Sequence, residues 1–210
     1  YNMSAQKNFV SLKDETIRMF DNPILDWFSK IHWSAPLIVW VPVFLFCLYS
    51  AIRHDLGLMI IPFFFAGLII WTLSEYVLHR FIFHYHPTSS FGQKIHFVMH
   101  GVHHDYPNDS KRLVMPPVLS ILISIPFALG FWFGFGQDGS SFAAFAGMIF
   151  GYLSYDMLHY AVHHAKWTNP YFVKLKKHHM AHHFVHPDEG FGVSSTVWDH
   201  IFGTTIKNEK

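Results

Sequence analysis

The sequence predicts an all-α integral membrane protein, with four transmembrane helices in two hairpins and a histidine-rich helical cap on one side of the bilayer. Three observations predict it. Hydrophobic residues make up 51% of the 210 and charged residues only 14%, a membrane composition diluted by polar ends. Four apolar stretches, at about 36–53, 57–78, 116–135 and 142–158, are each close to the length a helix needs to span a hydrocarbon core. The 18 histidines are mostly gathered in the segments between and after these stretches.

The elements follow in order. Residues 1–35 carry Asp14, Glu15, Asp21 and Asp26, too acidic for a secretory leader. Phe9, Leu12, Ile17, Phe20, Ile24, Leu25 and Phe28 suggest instead an amphipathic segment lying on the membrane surface. The first two spans are separated only by Arg53-His54-Asp55-Leu56, a hairpin turn, and residues 136–141 break the second pair in the same way. Pro42, Pro62 and Pro126 fall inside spans, which membrane helices tolerate. Pro107 and the Pro116-Pro117 pair bound a fixed crossover into the third span. Residues 36–210 read as one domain whose cap comprises 79–115 and 159–210.

Hairpin parity places the N-terminus and both cap segments on one side. Of the 15 Lys and Arg residues, only Arg53 falls on the other side, so the cap is expected to be cytoplasmic. A net charge of +1 gives no footing for nucleic-acid binding.

The cap histidines form four clusters: His79 with His84, His100 with His103 and His104, His159 with His163 and His164, and His179 with His182 and His183. On a helix, residues three and four apart share a face. Adjacent residues diverge by about 100°, so His103 and His104 cannot aim at the same ion. Two metals are the economical reading, with two facing forks each supplying ligands to both. Cys47, the one cysteine, lies in an apolar run far from the clusters, which excludes thiolate zinc and iron–sulfur sites. All-imidazole ligation suits iron, copper or zinc. About five candidate ligands per ion exceed the four of a closed zinc site, which favours iron. His32, His54 and His200 stand apart and read as ordinary polar residues.

Two acids precede cluster histidines by one helical turn. Glu75 is placed either to hold the outer N–H of a ligand histidine or to pair with Arg80. Asp156, before His159, fits the same supporting role. Trp198 and Phe202, one turn apart near the end, are expected to pack on the cap.

From about Ser74 to Thr205 the chain resembles the fatty acid hydroxylase superfamily, and within it the fatty acid 2-hydroxylases that act on sphingolipid acyl chains. The segments EYVLHRFIFH, HFVMHGVHH followed by RLVMPP, GYLSYDMLHYAVHH, LKKHHMAHH and GFGVSSTVWDHIFGT carry the likeness. The resemblance implies a non-haem di-iron oxygenase that inserts one oxygen atom from O2 at carbon 2 of a long acyl chain, free or as the N-acyl chain of a ceramide. It implies as ligands His79, His84, His100, His103, His104, His159, His163, His179, His182 and His183. His178 stands where relatives often carry tyrosine and is left out, as are His96 and His164. Zinc is expected to substitute for iron in purified protein. Some relatives carry a fused haem domain of the cytochrome b5 type. No room for one precedes Pro36, so electrons are expected from a separate cytochrome b5-like or ferredoxin-like protein.

The expected membrane is the endoplasmic reticulum for a eukaryotic source and the inner membrane for a bacterial one. Within the same chemistry the alternatives are a sterol or carotenoid hydroxylase and an acyl desaturase. Outside it they are a zinc-stapled structural membrane protein and a metal transporter, whose ligands would line a path within the membrane rather than lie beyond the span ends.

Overall fold

The computed structural model describes residues 9–206. Residues 1–8 of the expected surface segment and 207–210 of the cap, with Lys7, Lys207 and Lys210 among the basic residues weighed above, lie outside them. Among the described residues every regular element is helical: α1 (Pro23–Phe28), α2 (Ala35–Arg53), α3 (Ile60–Val77), α4 (Ser90–His96), α5 (Val102–Asp105), α6 (Pro117–Gly134), α7 (Gly139–His164), α8 (Pro170–Phe184) and α9 (Val197–Phe202).

Three segments are long and apolar enough to cross a membrane: Ala35–Arg53, Gly57–Phe83 and Pro117–Gly134. They make this a membrane protein by composition and length. The fourth expected span corresponds to α7, which is longer than 142–158 at both ends. The third histidine cluster therefore sits on this helix and not beyond it. Asp138 starts α7 by accepting from the Ser140 N–H at 2.8 Å. The helix is less apolar than its neighbours because α2, α3 and α6 pack around it and leave it buried along most of its length.

Small residues make that central position possible. A Cβ on Gly147 would fall 1.8 Å from the Phe64 carbonyl oxygen, and one on Gly67 would fall 1.8 Å from that of Ala144. The α3 and α7 backbones thus approach where side chains are missing, the packing that membrane helices favour. Beyond the crossing, Trp40 and Trp71 meet the Tyr152 ring edge-on at 5.9 and 5.3 Å. Trp40 Nε1 donates to Ser120 Oγ at 2.9 Å and so ties α2 to α6.

Above the bundle, α3 runs on as a π-helical turn over Leu78–Phe83, and α4 runs into a second over Phe97–Gly101 that leads to α5. Asn169 caps α8 and Pro170 opens it, which sets where that helix begins. The α9 side chains pack on α3, within the second expected span and not on the cap: Trp198 Nε1 donates to Thr72 Oγ1 at 3.1 Å, and Phe202 stacks on Tyr76 at 5.2 Å.

The described part of the N-terminal segment, residues 9–34, is mostly extended, with α1 as its one short helix, and it lies along the 105–112 loop. Ser11 N donates to the Asp105 carbonyl at 2.8 Å, Thr16 Oγ1 to Asp109 Oδ1 at 2.7 Å, and Ile31 N to the Lys111 carbonyl at 2.7 Å. From the loop, Asn108 Nδ2 donates to the Leu12 carbonyl at 2.6 Å and Arg112 Nη2 to that of Ile17 at 2.5 Å.

Candidate metal centre

The structure brings ten histidines together in two groups of five. His79, His84, His100, His104 and His182 form one; His103, His159, His163, His179 and His183 form the other. Within each group the ring nitrogens lie within 4.8 Å of one another. The adjacent pairs divide as helical geometry requires: His103 and His104 go to different groups, and so do His182 and His183. The partners four residues before His104 and His183 stay with them, whereas those three residues before His103 and His182 do not. His100 and His104 meet at 3.0 Å, and His179 and His183 at 3.1 Å, Nε2 to Nε2.

His79 and His84 are five residues apart, which would set them about 140° apart on an α-helix. The π-helical turn removes that offset. The His84 N–H donates to the His79 carbonyl at 3.1 Å, one residue further than an α-helical bond, and both rings then face the same group.

The donor sets fit metal ions. Across elements, Nε2 pairs stand at 2.9 Å for His103 with His159 and His163 with His179, and at 3.1 Å for His79 with His100 and His84 with His182. Nitrogens at about 2.1 Å from a central ion and at right angles would be about 3.0 Å apart. An N–H points at one acceptor, whereas each nitrogen here faces several others, so hydrogen bonding alone leaves the convergence unexplained.

Backbone carbonyls fix several rings. His79 Nδ1–H donates to the Phe191 carbonyl at 2.6 Å, His159 to that of Leu113 at 2.9 Å and His182 to that of Glu189 at 2.7 Å, which leaves each Nε2 with a bare lone pair. Burial, and then the neighbouring imidazoles, hold His84 and His104 down to about 2 and push His100, His103, His179 and His183 well below their usual range. Burial lowers His182 to about 4 against the pull of its carbonyl partner. The rings are thereby kept neutral, the form in which imidazole binds a metal.

The acids act one step further out than the spacing suggested. Glu75 touches neither the His79 ring nor Arg80. Its Oε1 accepts from the Val193 and Ser194 N–H groups, both at 2.8 Å, and Oε2 accepts from Ser194 Oγ. Arg80 donates instead to the Tyr76 hydroxyl at 2.8 Å. Asp156 accepts from Met115 N at 3.3 Å, beside the Leu113 carbonyl that holds His159. Carbonyl oxygens have the right reach and charge for the imidazole N–H, and the carboxylates position the loops that carry them.

A further acid went unnoticed in the sequence. Asp199, fully buried, accepts from Phe191 N and Gly192 N at 2.9 Å each and from Thr204 Oγ1 at 2.9 Å. His178 is buried against it, 3.5 Å from Oδ2. The GFGVSS segment, already conspicuous in the sequence, is thus gripped from both ends by Glu75 and Asp199. Phe191 also puts its ring 5.8, 5.4 and 5.7 Å from those of His79, His84 and His182. His32, His54, His96, His164 and His200 lie outside both groups.

An apolar cavity of about 280 Å³ abuts both groups, touching His100 of one and His103 and His159 of the other. A sequence-family model for fatty acid hydroxylases matches residues 64–204, which include all ten histidines. The chain belongs to the fatty acid hydroxylase family. It is 38% identical over 191 residues to a dihydroceramide fatty acyl 2-hydroxylase of Arabidopsis thaliana, an alignment covering 89% of this chain and 79% of the plant protein. Identity is 39% to a ceramide very long chain fatty acid hydroxylase of Saccharomyces cerevisiae and 36% to the fatty acid 2-hydroxylase of Rattus norvegicus. The alignments cover 90% and 92% of this chain but only 49% and 58% of those proteins, respectively. These relatives are hydroxylating oxidoreductases by name. A solved structure of full-length scs7p, in which only the hydroxylase domain is visible, superimposes with a TM-score of 0.83 at 38% identity, covering 89% of this chain and 71% of that one.

Proposed function

We propose that this fatty acid hydroxylase oxidises carbon 2 of a long-chain fatty acyl group, either free or as the N-acyl chain of a sphingolipid, with O2 as co-substrate. The observation that carries the reading is the contact of one apolar cavity with both histidine groups. The proposed ligands are His79, His84, His100, His104 and His182 for one ion and His103, His159, His163, His179 and His183 for the other. Iron is the proposed working metal, because it supplies redox chemistry with O2 that zinc lacks.

The carbon 2 C–H bond offers no useful acidity to a side-chain base, so the chain's own task is to place and shield it. One oxygen atom enters that bond and the other leaves as water, with two electrons from a redox donor and two protons. The cavity wall holds the acyl chain with its head end against His100, His103 and His159. Phe83 stacks on His100 at 5.3 Å and Tyr155 on His159 at 5.7 Å, closing two faces of the centre to water. In the membrane, α2, α3, α6 and α7 are proposed as the four spans, with the histidine groups on the cytoplasmic side.

Membranes carrying the chain, supplied with O2, a reductant system and labelled fatty acid, are expected to yield the 2-hydroxy acid by lipid mass spectrometry, together with two irons per chain by elemental analysis. A product lacking two hydrogens, or a hydroxyl elsewhere on the chain, would displace this reading.

A further inference from the structure

The cavity is too small for the whole of its proposed occupant. A cavity of about 150 Å³ takes one benzene, six carbons, so one of about 280 Å³ seats about eleven chain carbons. A long acyl chain must therefore leave it part-way. The inner end is closed by the histidine groups, and another side is lined by Val114, Met115 and Leu119. Val98, Met99 and Val102 line a third side, where Met99 is 38% exposed and Val102 only 4%, and the N-terminal strap lines a fourth with Met19, Phe20, Leu25 and Phe28. Two of these are open as well as lining: Leu25 and Phe28 are each 54% exposed. Ile24 and Trp27 stand beside them at 64% and 69%. This apolar lip lies just ahead of α2, the first apolar segment that is long enough to cross the bilayer.

We infer that the strap is the outer wall and mouth of the acyl cavity, and that Phe20, Leu25 and Phe28 are specificity-determining residues that select acyl chains by length. The inference rests on reading the cavity as the acyl site. The strap lies outside residues 64–204, which carry the histidines, so the selecting surface is separate from the segment that defines the family. It is nevertheless firmly placed. Arg112, its side chain 4% exposed, reaches across from the loop to the Ile17 carbonyl and sits 3.9 Å from Asp26 and 3.4 Å from Asp109. Asp26 in turn accepts from Met19 N at 2.8 Å, which turns the strap so that Met19 and Phe20 face the cavity. A chain leaving past Leu25 and Phe28 would pass directly into the bilayer, its proximal carbons in protein and its tail in lipid.

The test uses the full chain in phosphatidylcholine vesicles and a long-chain fatty acid bearing a photoreactive diazirine midway along its length. Label is expected on peptides containing residues 19–28. Label confined to α2 or α6 peptides would overturn the inference. Leu25→Trp and Phe28→Trp, which narrow the mouth, are expected to lower 2-hydroxylation of long chains by about 10-fold relative to short ones, with metal content unchanged. Leu58→Trp, in the turn ahead of α3, should leave the ratio alone. A parallel loss for long and short chains in variants that keep their metal would also overturn it. Label on the strap without any hydroxylated product would remove the catalytic reading and leave the binding surface standing. Product with label elsewhere would remove the surface alone.

Discussion

Asp199 and Glu75 grip the same loop but tolerate change differently. Each Asp199 oxygen accepts a backbone N–H, from Phe191 and Gly192, so an amide in its place must aim N–H at N–H. In a Glu75→Gln variant the oxygen keeps Val193 and Ser194, and the new NH2 meets the Ser194 hydroxyl, which can accept. Asp199→Asn is therefore expected to weaken metal binding by about 10- to 100-fold, as loss of an outer partner does, and Glu75→Gln by clearly less. Chelator competition on the purified proteins checks the order, and equal losses would refute the clamp. The ring environment sets a pH dependence as well. His84 and His104, held near 2, and His182, near 4, all titrate below the ordinary imidazole value. The unfolded chain consequently binds more protons than the metal-free fold, whose stability should fall as pH drops below about 6.5. Thermal melts of metal-free protein at a series of pH values should show the midpoint falling steadily on the acid side, and a flat profile would contradict the buried, neutral rings. The division of histidines between groups was legible because adjacent helical residues must diverge. The carbonyls of Leu113, Glu189 and Phe191 were not, since a backbone acceptor leaves no mark in residue type.

At the scale of elements, the spacing of His79 and His84 carried a message that helical periodicity could not decode. Five residues suit neither face of an α-helix, and only the π-helical turn over Leu78–Phe83 aligns them. Of the fork spacings, four keeps His100 with His104 and His179 with His183 as a shared face requires, whereas three divides His100 from His103 and His179 from His182. Helix α7 was found as an apolar stretch, but its place at the centre of the bundle follows from its small residues, which hydrophobicity alone ignores. Gly147 makes that place specific. A side chain there meets the Phe64 carbonyl, backbone that cannot swing aside, so Gly147→Val must push α3 from α7. A cost of about 1–3 kcal/mol or more is expected from overpacking, read as a lower melting midpoint in detergent. The same change at Gly134, which has open space around it, should cost much less. Similar losses at both would mean that helix propensity, and not the α3–α7 contact, sets the effect.

For the whole molecule, the strap is the part least legible in the sequence. Its apolar residues suggested a segment on the membrane surface; Phe9, Leu12, Ile24, Leu25 and Phe28 are exposed, and the structure adds contacts with the 105–112 loop. Its docking depends on Thr16, Asp26, Asp109 and Arg112, residues far apart in sequence whose pairing no local pattern announces. The bundle was more legible, because two hairpins of apolar helices with short turns leave few arrangements. The structure adds that both turns lie together: a Cβ on Gly139, at the start of α7, would come 2.8 Å from His54 Cβ, and the His54 ring stacks on Phe142 at 5.9 Å. Along α7, His159 lies twenty residues beyond Gly139, a rise of about 30 Å at 1.5 Å per residue, which matches the hydrocarbon thickness of about 30 Å. In the proposed four-span arrangement the turns and the histidine groups would thus lie one bilayer apart. Exposed Asp55 in the first turn and exposed Lys174 on α8 should face opposite sides. Cys47 is only 3% exposed, so single cysteines at those two positions can be read against little background. In sealed, oriented vesicles an impermeant maleimide should modify Asp55→Cys or Lys174→Cys but not both. Placing the basic cap inside predicts that in intact cells or right-side-out vesicles the accessible one is Asp55→Cys. Labelling of both from one side would break the two-hairpin arrangement, and labelling of Lys174→Cys alone would keep the arrangement and reverse its orientation.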